Sequence, residues 1–467
     1  MATAPRILTD TGWVRPSLGP LITLLVDGGV LDQADGFSAE TIAQRQDLPT
    51  ADVLISKFEV AHFTIAQAYS TLYQARFVNP CELPPDASLL DTYGAANAIR
   101  TGVLPWRMMG GQIVVLTDKP DQFDRQTADM SDTFGPLRMA VTSRDYLEKL
   151  VAAMRRTELS KAAETKVTAT QSSHTWNAKR AGWIGVSALI TLILCAVFAP
   201  TATIAAIYGW TISILILSTL LKAVAAIVHT RSSKNKTATC TLQARLPKIT
   251  VLIPLFKETA IAQHLLAQLS DLNYPRELRD VCLVAESGDI TTREALGDTV
   301  LPTWMRPVIF PHGTLRTKPR ALNYALDFAQ GTIISVYDAE DAPAPDQLQQ
   351  IAQRFAERGP EVACLQGVLD YYNDSAKWLT RCFTIEYESW FRMLLPGMEK
   401  LGLVVPLGGT TLFFRRNTLE ELGGWDAHNV TEDADLGVRL VRAGYRTELI
   451  NTVTQEEANG RFWPWIK

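Results

Sequence analysis

From Ala181 through Leu221 the chain carries no charged residue, and the run is dominated by Ile, Leu, Val and Ala. No other feature limits the fold so strongly. A bilayer core about 30 Å thick is crossed by roughly 20 apolar residues in a helix, so a run of this length holds two spans rather than one. Pro200, within the short Ala-Pro-Thr-Ala-Thr stretch, marks the break, because proline cannot continue a helix from the residue before it. The expected spans are Gly182–Ala199 and Ile204–Val228. Lys179 and Arg180 precede the first, and Arg231, Lys234 and Lys236 follow the second, so both outer flanks are expected on the cytoplasmic side. The segments before and after the spans then share one compartment.

Composition sets the remaining bounds. The 467 residues exceed one ordinary core. A formal net charge of −4 is too mild to advertise a nucleic-acid partner, and none is expected. The six cysteines are scattered without CxxC spacing, which points to a reducing compartment and away from a zinc site. The first twenty residues lack the apolar stretch of a signal peptide, so the chain is expected to start in the cytoplasm.

Residues 1–155 mix helical patterns (SLGPLITLLVDGG, AHFTIAQAYSTLYQ) with a strand pair around VLPWRMMGGQIVVLTDKP, where Gly110-Gly111 between apolar runs signals a hairpin. This small α+β segment resembles the N-terminal domain of type II secretion and pilus ATPases. One branch of that family binds cyclic di-GMP through two repeats that each begin Arg-Leu-Gly. Here Arg15, Leu18 and Gly19 are similar to the first repeat with an insertion, whereas the second, near Val53–Phe58, has no Arg-Leu-Gly. The resemblance therefore implies either a cyclic di-GMP site or a plain docking domain. No GxxxxGK[ST] occurs, which excludes the ATPase itself.

Residues 156–180 are polar and Thr/Ser-rich (TKVTATQSSHTWN) and read as a linker ahead of the spans at 181–230. Over 245–467 strand-like runs alternate with helical stretches: KITVLIPLF, DVCLVAE, TIISVYD and EVACLQG between amphipathic segments. That alternation predicts an α/β domain with a mostly parallel sheet, whose ligands sit beyond the carboxyl ends of the strands.

Four strings carry ionisable groups to such positions. TIISVYDAEDAPAPD ends a buried strand in Asp338, Glu340 and Asp341, and crowded carboxylates suit a hard divalent cation such as Mg2+ or Mn2+; alone, the string is a solvated acidic turn. RTKPRALNYAL opens a helix with Lys318 and Arg320, cations placed for phosphate oxygens. HNVTEDADLGVRL sets Glu432 and Asp433 beside Thr431, either as a helix cap or as a base for a sugar hydroxyl. VCLVAESGDITT supplies Glu286 and Asp289.

Taken in order over 247–467, these strings resemble the family 2 glycosyltransferases of the GT-A fold, especially the membrane synthases related to cellulose and hyaluronan synthases. The resemblance implies donor contacts from Glu286 or Asp289 to the base, Lys318 to the diphosphate and Asp338 to the nucleoside. It also implies Glu340 with Asp338 on the Mg2+ or Mn2+ ion and Asp433, flanked by Glu432, as general base. PLGGTTLFFRR, with Gly408, Gly409 and Thr410, matches the small-residue patch beside the acceptor. Glu stands where the family has Asp at the first acidic and the metal positions. The family's Gln-x-x-Arg-Trp motif would follow a segment like EEANGRFWPWIK, and the sequence stops at Lys467, so a fragment of a longer protein is expected. The order of secretion-ATPase-like segment, two spans and catalytic domain resembles the inner-membrane glycosyltransferases of the phage-adsorption type.

The expected activity is inverting transfer from a nucleotide-sugar, a UDP-sugar by the resemblance, to a growing polysaccharide at the inner membrane, with membrane lipid as the surrounding partner. A catalytically weak nucleotide-sensing scaffold is the alternative. A sugar nucleotidyltransferase would need a Gly-rich loop after the first strand, and IPLFKETA has no glycine. The aromatics Trp378, Phe383, Tyr387, Trp390 and Phe391 fit core or membrane-interface packing better than sugar stacking.

Overall fold

The computed structural model of the protein describes residues 18–232, 245–258, 261–458 and 460. Arg15, Cys240, Lys234 and Lys236, and the whole RFWPWIK end, lie outside them. The chain forms two compact units: one runs to Leu150 without Ala95–Arg100, and the other takes those six residues together with everything from Val151 onward.

In the first unit, helices Pro20–Asp27, Gln33–Gln46, Thr50–Phe58 and His62–Leu72 turn Ile22, Leu25, Leu54, Ile65 and Tyr69 into a common core. A three-stranded sheet follows, in the order β1 (Val103–Met109), β2 (Gln112–Thr117) and β3 (Leu137–Val141). Met109 pairs with Gln112 across Gly110-Gly111, whose φ angles of 59° and 81° are the left-handed values a tight hairpin requires.

Two helices long and apolar enough to cross a membrane follow, Ala178–Phe198 and Pro200–Ser232. The break falls at Ala199, and Pro200 opens the second helix, where its missing N–H is no loss. Near its C-terminal end Ala225 is fully buried against Gly397 of helix Leu395–Lys400. A Cβ on Gly397 would lie 2.3 Å from the Ala225 carbonyl oxygen, so only glycine permits the contact. The aromatic stripe divides: Phe383 and Tyr387 pack against Tyr371, and Phe391 against Tyr387, ring against ring, whereas Trp378 is exposed.

The rest of the second unit is built on an eight-stranded sheet. Its strands are β4 (Ile249–Leu255), β5 (Arg279–Glu286), β6 (Met305–Phe310), β7 (Ile333–Val336), β8 (Ala342–Pro343), β9 (Val362–Tyr371), β10 (Leu412–Arg415) and β11 (Arg446–Glu456), in the order β6-β5-β4-β7-β10-β9-β11-β8. β5 is buried along its whole length, as expected of a strand covered on both faces. The sheet is mostly parallel, as expected, with β11 and β9 also paired parallel, but it is mixed. β6, β5, β4 and β7 are parallel, but β10 runs antiparallel to both β7 and β9, and β8 antiparallel to β11. The sheet is mixed because the chain reverses at Gly408–Thr411 before β10 enters between β7 and β9.

The supposed linker also differs. Residues Arg156–Thr165 form a helix, and the Thr/Ser-rich stretch beyond it is hydrogen-bonded to Asp426 rather than free. Its polar side chains found partners remote in sequence, which a composition reading cannot register.

Candidate active site

The carboxyl ends of β4, β5 and β7 open on one side of the sheet, and the helix that follows β6 begins there with Lys318. Thr317 precedes that helix and Pro319 follows Lys318 within its first turn, fixing the backbone for helix entry. The Lys318 ammonium donates to Asp338 Oδ1 at 2.7 Å and to the Gly409 carbonyl oxygen at 2.9 Å. Burial works against its charge, yet the carboxylates of Asp338, Asp433 and Glu432 hold the ammonium above its ordinary range. Three of the sequence clusters therefore act on one cation.

Asp338 ends the strand run that starts at β7. Its backbone N–H donates to Asp341 Oδ2 at 2.8 Å, which closes the turn. Asp341 is buried, receives the Thr410 hydroxyl as well, and has its carboxyl pushed up to about 8 by burial, with Asp338 adding to the effect. Glu340 stays exposed on the turn, and its carboxyl is raised first by burial of the acid group and then by the negative charges of Asp338 and Glu258.

Glu432 and Asp433 are the first residues of helix Glu432–Arg442, after Thr431. A helix N-terminus favours carboxylates by about 0.3–1 kcal/mol, but both side chains are 6% exposed, and burial wins. The Asp433 carboxyl is pushed up to about 8 by burial and then by Glu432 and Asp338, with Lys318 opposing. Its Oδ1 is buried without a hydrogen-bond partner among the described residues. A Cβ built on Gly409 would lie 3.8 Å from Asp433 Oδ2, so this glycine keeps the approach to the carboxyl open.

The remaining expected residues divide. Glu286, at the end of β5, is buried and sits 2.8 Å from His312 Nδ1. Asp289, the alternative expected at the base, is engaged with backbone on two segments. It caps helix Ile290–Gly297 through Thr292 and accepts from the Lys257 N–H at 2.7 Å, holding that residue at a positive φ of 57°. Burial opposes its charge, but these hydrogen bonds keep its carboxyl below the usual range. Thr410 is likewise no surface residue: it is 2% exposed and its hydroxyl faces Asp341 and the Val336 carbonyl. Gly408 abuts the Phe391 ring and donates its N–H to buried Gln366.

Glu258, three residues beyond β4, and Glu456, the last residue of β11, were not singled out from sequence. Glu456 is pushed up to about 7 by burial, Asp338 and Glu340, so it faces the same cluster. Among the described residues no three His, Cys, Asp or Glu side chains are grouped closely enough to hold a metal by themselves. Asp338 and Glu340 nevertheless fit a hard cation of the Mg2+ or Mn2+ kind. Such an ion is commonly bound through one or two carboxylates and completed by substrate phosphates and water, and the mutual repulsion seen at Glu340 is what a cation would relieve.

The family model for "Glycosyltransferase like family 2" matches residues 247–463. A probable glycosyltransferase of Bacillus subtilis, YdaM, is 26% identical over 220 residues, 47% of this chain and 52% of that protein. A beta-monoglucosyldiacylglycerol synthase of Trichormus variabilis is 27% identical over 203 residues, 43% of this chain and 42% of that protein. The chain thus spans about half the length of the curated relatives it matches. Among solved structures, a mannosyltransferase of Pyrobaculum calidifontis in complex with GDP-Man and Mn2+ aligns with a TM-score of 0.41 at 20% identity, over 54% of this chain and 70% of that one. Residues 247–463, whose mixed sheet carries acidic residues at its carboxyl ends, are thus similar to the family 2 glycosyltransferases.

Proposed function

We propose that the chain transfers a sugar with inversion from a nucleotide-diphospho-sugar, a UDP-sugar in the first instance, to a growing polysaccharide at the cytoplasmic face of an inner membrane. The observation that carries this reading is the Lys318 ammonium held between Asp338 and the Gly409 carbonyl, within the field of Asp433 and Glu432. A donor diphosphate arriving at the start of the Lys318 helix would replace Asp338 as the partner of the ammonium. Asp338 would then be free for the nucleoside and, with Glu340, for Mg2+ or Mn2+, which when bound offsets charge on the leaving diphosphate. Glu286, with His312 beside it, would meet the base.

The acceptor hydroxyl enters past Gly408 and Gly409. Asp433 takes its proton, the acceptor oxygen bonds to the anomeric carbon on the face opposite the diphosphate, and the breaking carbon–oxygen bond leaves its electron pair on the diphosphate, where Lys318 stabilises it. Glu432 lifts the proton affinity of Asp433 by like-charge repulsion.

Membrane lipid surrounds the two apolar helices in this reading. Lys179, Arg180 and Arg231 at their outer ends support the cytoplasmic side, and exposed Trp183 near the start of the first helix suits a bilayer interface. Cyclic di-GMP binding by the first unit is an accompanying proposal; saturable uptake in equilibrium dialysis with the full chain supports it, and none removes it.

The test of the transfer reading is donor turnover by membranes containing the full chain, with radiolabelled UDP- and GDP-sugars and MnCl2. Turnover that disappears in Asp433→Asn supports the enzyme. Equal background in both proteins favours the nucleotide-binding scaffold instead.

A further inference from the structure

We propose that the polar segment 156–177 is a positioning strap that holds the two loops of the donor site in register, with Glu164 and Arg320 as its positioning residues; the proposal rests on the roles given above to Lys318 and Asp433. The first loop, 311–317, delivers Lys318. The second, 426–431, delivers Glu432 and Asp433. Both are braced by the same upstream segment, which precedes the first apolar helix directly.

On the first loop, Glu164 Oε2 accepts from the Thr314 hydroxyl at 2.8 Å and Oε1 from the Thr314 N–H at 3.2 Å. The same carboxylate lies 2.9 Å from Nε of Arg320, whose side chain is 1% exposed. The guanidinium donates onward to Ser160 Oγ at 2.7 Å, to the Pro311 carbonyl at 2.7 Å and to the Leu315 carbonyl at 3.1 Å. A buried guanidinium with a fixed fork of donors is a rigid bracket, and here it spans from the strap to both ends of the loop. Lys318 stands two residues before it.

On the second loop, Asp426 is 1% exposed and accepts from Ser172 Oγ at 2.8 Å and from the Ser173 N–H at 2.6 Å. The rings of His174 and His428 stack at 4.2 Å. Between the loops, Asn323 donates to the Ala163 carbonyl at 3.0 Å and to the Trp425 carbonyl at 2.7 Å, and Thr317 donates its hydroxyl to the Ala427 carbonyl at 2.9 Å. Glycines admit the strap. A Cβ on Gly423 would lie 2.5 Å from the Lys166 carbonyl oxygen, and one on Gly313 would strike both Arg320 and Glu164. A passive tether would need neither the buried ion pair nor these close passages.

If the loops adopt the competent arrangement only part of the time without the strap, donor affinity falls in proportion to the lost population. The test uses the detergent-solubilised full chain, with UDP or GDP plus MnCl2 as probes in calorimetric titration, and hydrogen–deuterium exchange as a second readout. Glu164→Gln and, separately, Ser172→Ala should weaken the nucleotide that the wild type binds by about 10-fold, and that loss should shrink when Lys318→Ala is already present. Exchange should rise in 311–318 for Glu164→Gln and in 426–431 for Ser172→Ala, with the strands unchanged. Unaltered affinity and exchange in both variants would overturn the strap, and so would exchange raised uniformly through the sheet. A wild type that binds neither nucleotide refutes the donor-site reading on its own account. The loop-confined exchange then still decides whether the strap braces these loops.

Discussion

Asp433 yields the most demanding prediction, because activity and stability must move in opposite directions over one pH window. With its carboxyl pushed up to about 8 from an ordinary 3.8, only about a tenth of the ligand-free protein carries the base in ionised form at pH 7. A reaction that needs the carboxylate should accelerate about tenfold between pH 7 and pH 9, and a cation held at Asp338 and Glu340 shifts that rise downward. The sign for stability is the reverse. A carboxyl raised on folding contributes fully below its unfolded value and loses that contribution as pH rises through the folded one, so this group alone removes about 1 kcal/mol between pH 7 and pH 9. Initial rates and thermal midpoints across pH 5.5–9.5 read both. Glu432→Gln removes the nearest negative charge and should move the activity rise to lower pH, while Asp433→Asn should lose 10²–10⁴-fold in rate, a range typical of general bases, and flatten its share of the stability slope. A rate that is flat or falling with pH, or an Asp433→Asn protein with unchanged turnover, would refute the reasoning.

Other variants test other links. Lys318→Met should weaken UDP or GDP binding at least tenfold in calorimetry with the sheet intact, since it leaves Asp338 and Asp433 without their cation. Gly397→Leu should destabilise the protein by about 1–3 kcal/mol or more in thermal denaturation, because its side chain would enter the space held by the Ala225 backbone. Gly110→Val in the first unit should cost about 1–2 kcal/mol by forcing a β-branched residue to φ 59°, read from urea unfolding of the full chain followed by a probe in that unit.

Where local chemistry determines local structure, the sequence was readable. An uncharged run broken by Pro200 had one physical solution, and Gly110-Gly111 between apolar runs had another. Lys318, Asp338 and Asp433 were expected together from their order along the chain; the Lys318 ammonium bonds Asp338 and lies in the field of Asp433. What escaped was settled by distant partners. β10 takes its direction from β7 and β9, and nothing within Leu-Phe-Phe-Arg encodes it. Ser172 reads as a linker residue until Asp426, 254 positions away, accepts its hydrogen bond. The inward turn of Thr410 and the helix cap made by Asp289 likewise depend on packing that residue type alone does not specify.

The central claim is that a cation and a nucleoside diphosphate complete one site made by Lys318, Asp338 and Glu340. Coupling between the two ligands tests it most directly, because each must strengthen the other by the same factor. Mn2+ binding to the full chain, followed by electron paramagnetic resonance, should be weak alone and tighten at least tenfold when UDP or GDP is added. Glu340→Ala should abolish that gain. Mn2+ affinity that is the same with and without nucleotide, or unchanged in Glu340→Ala, would contradict the account.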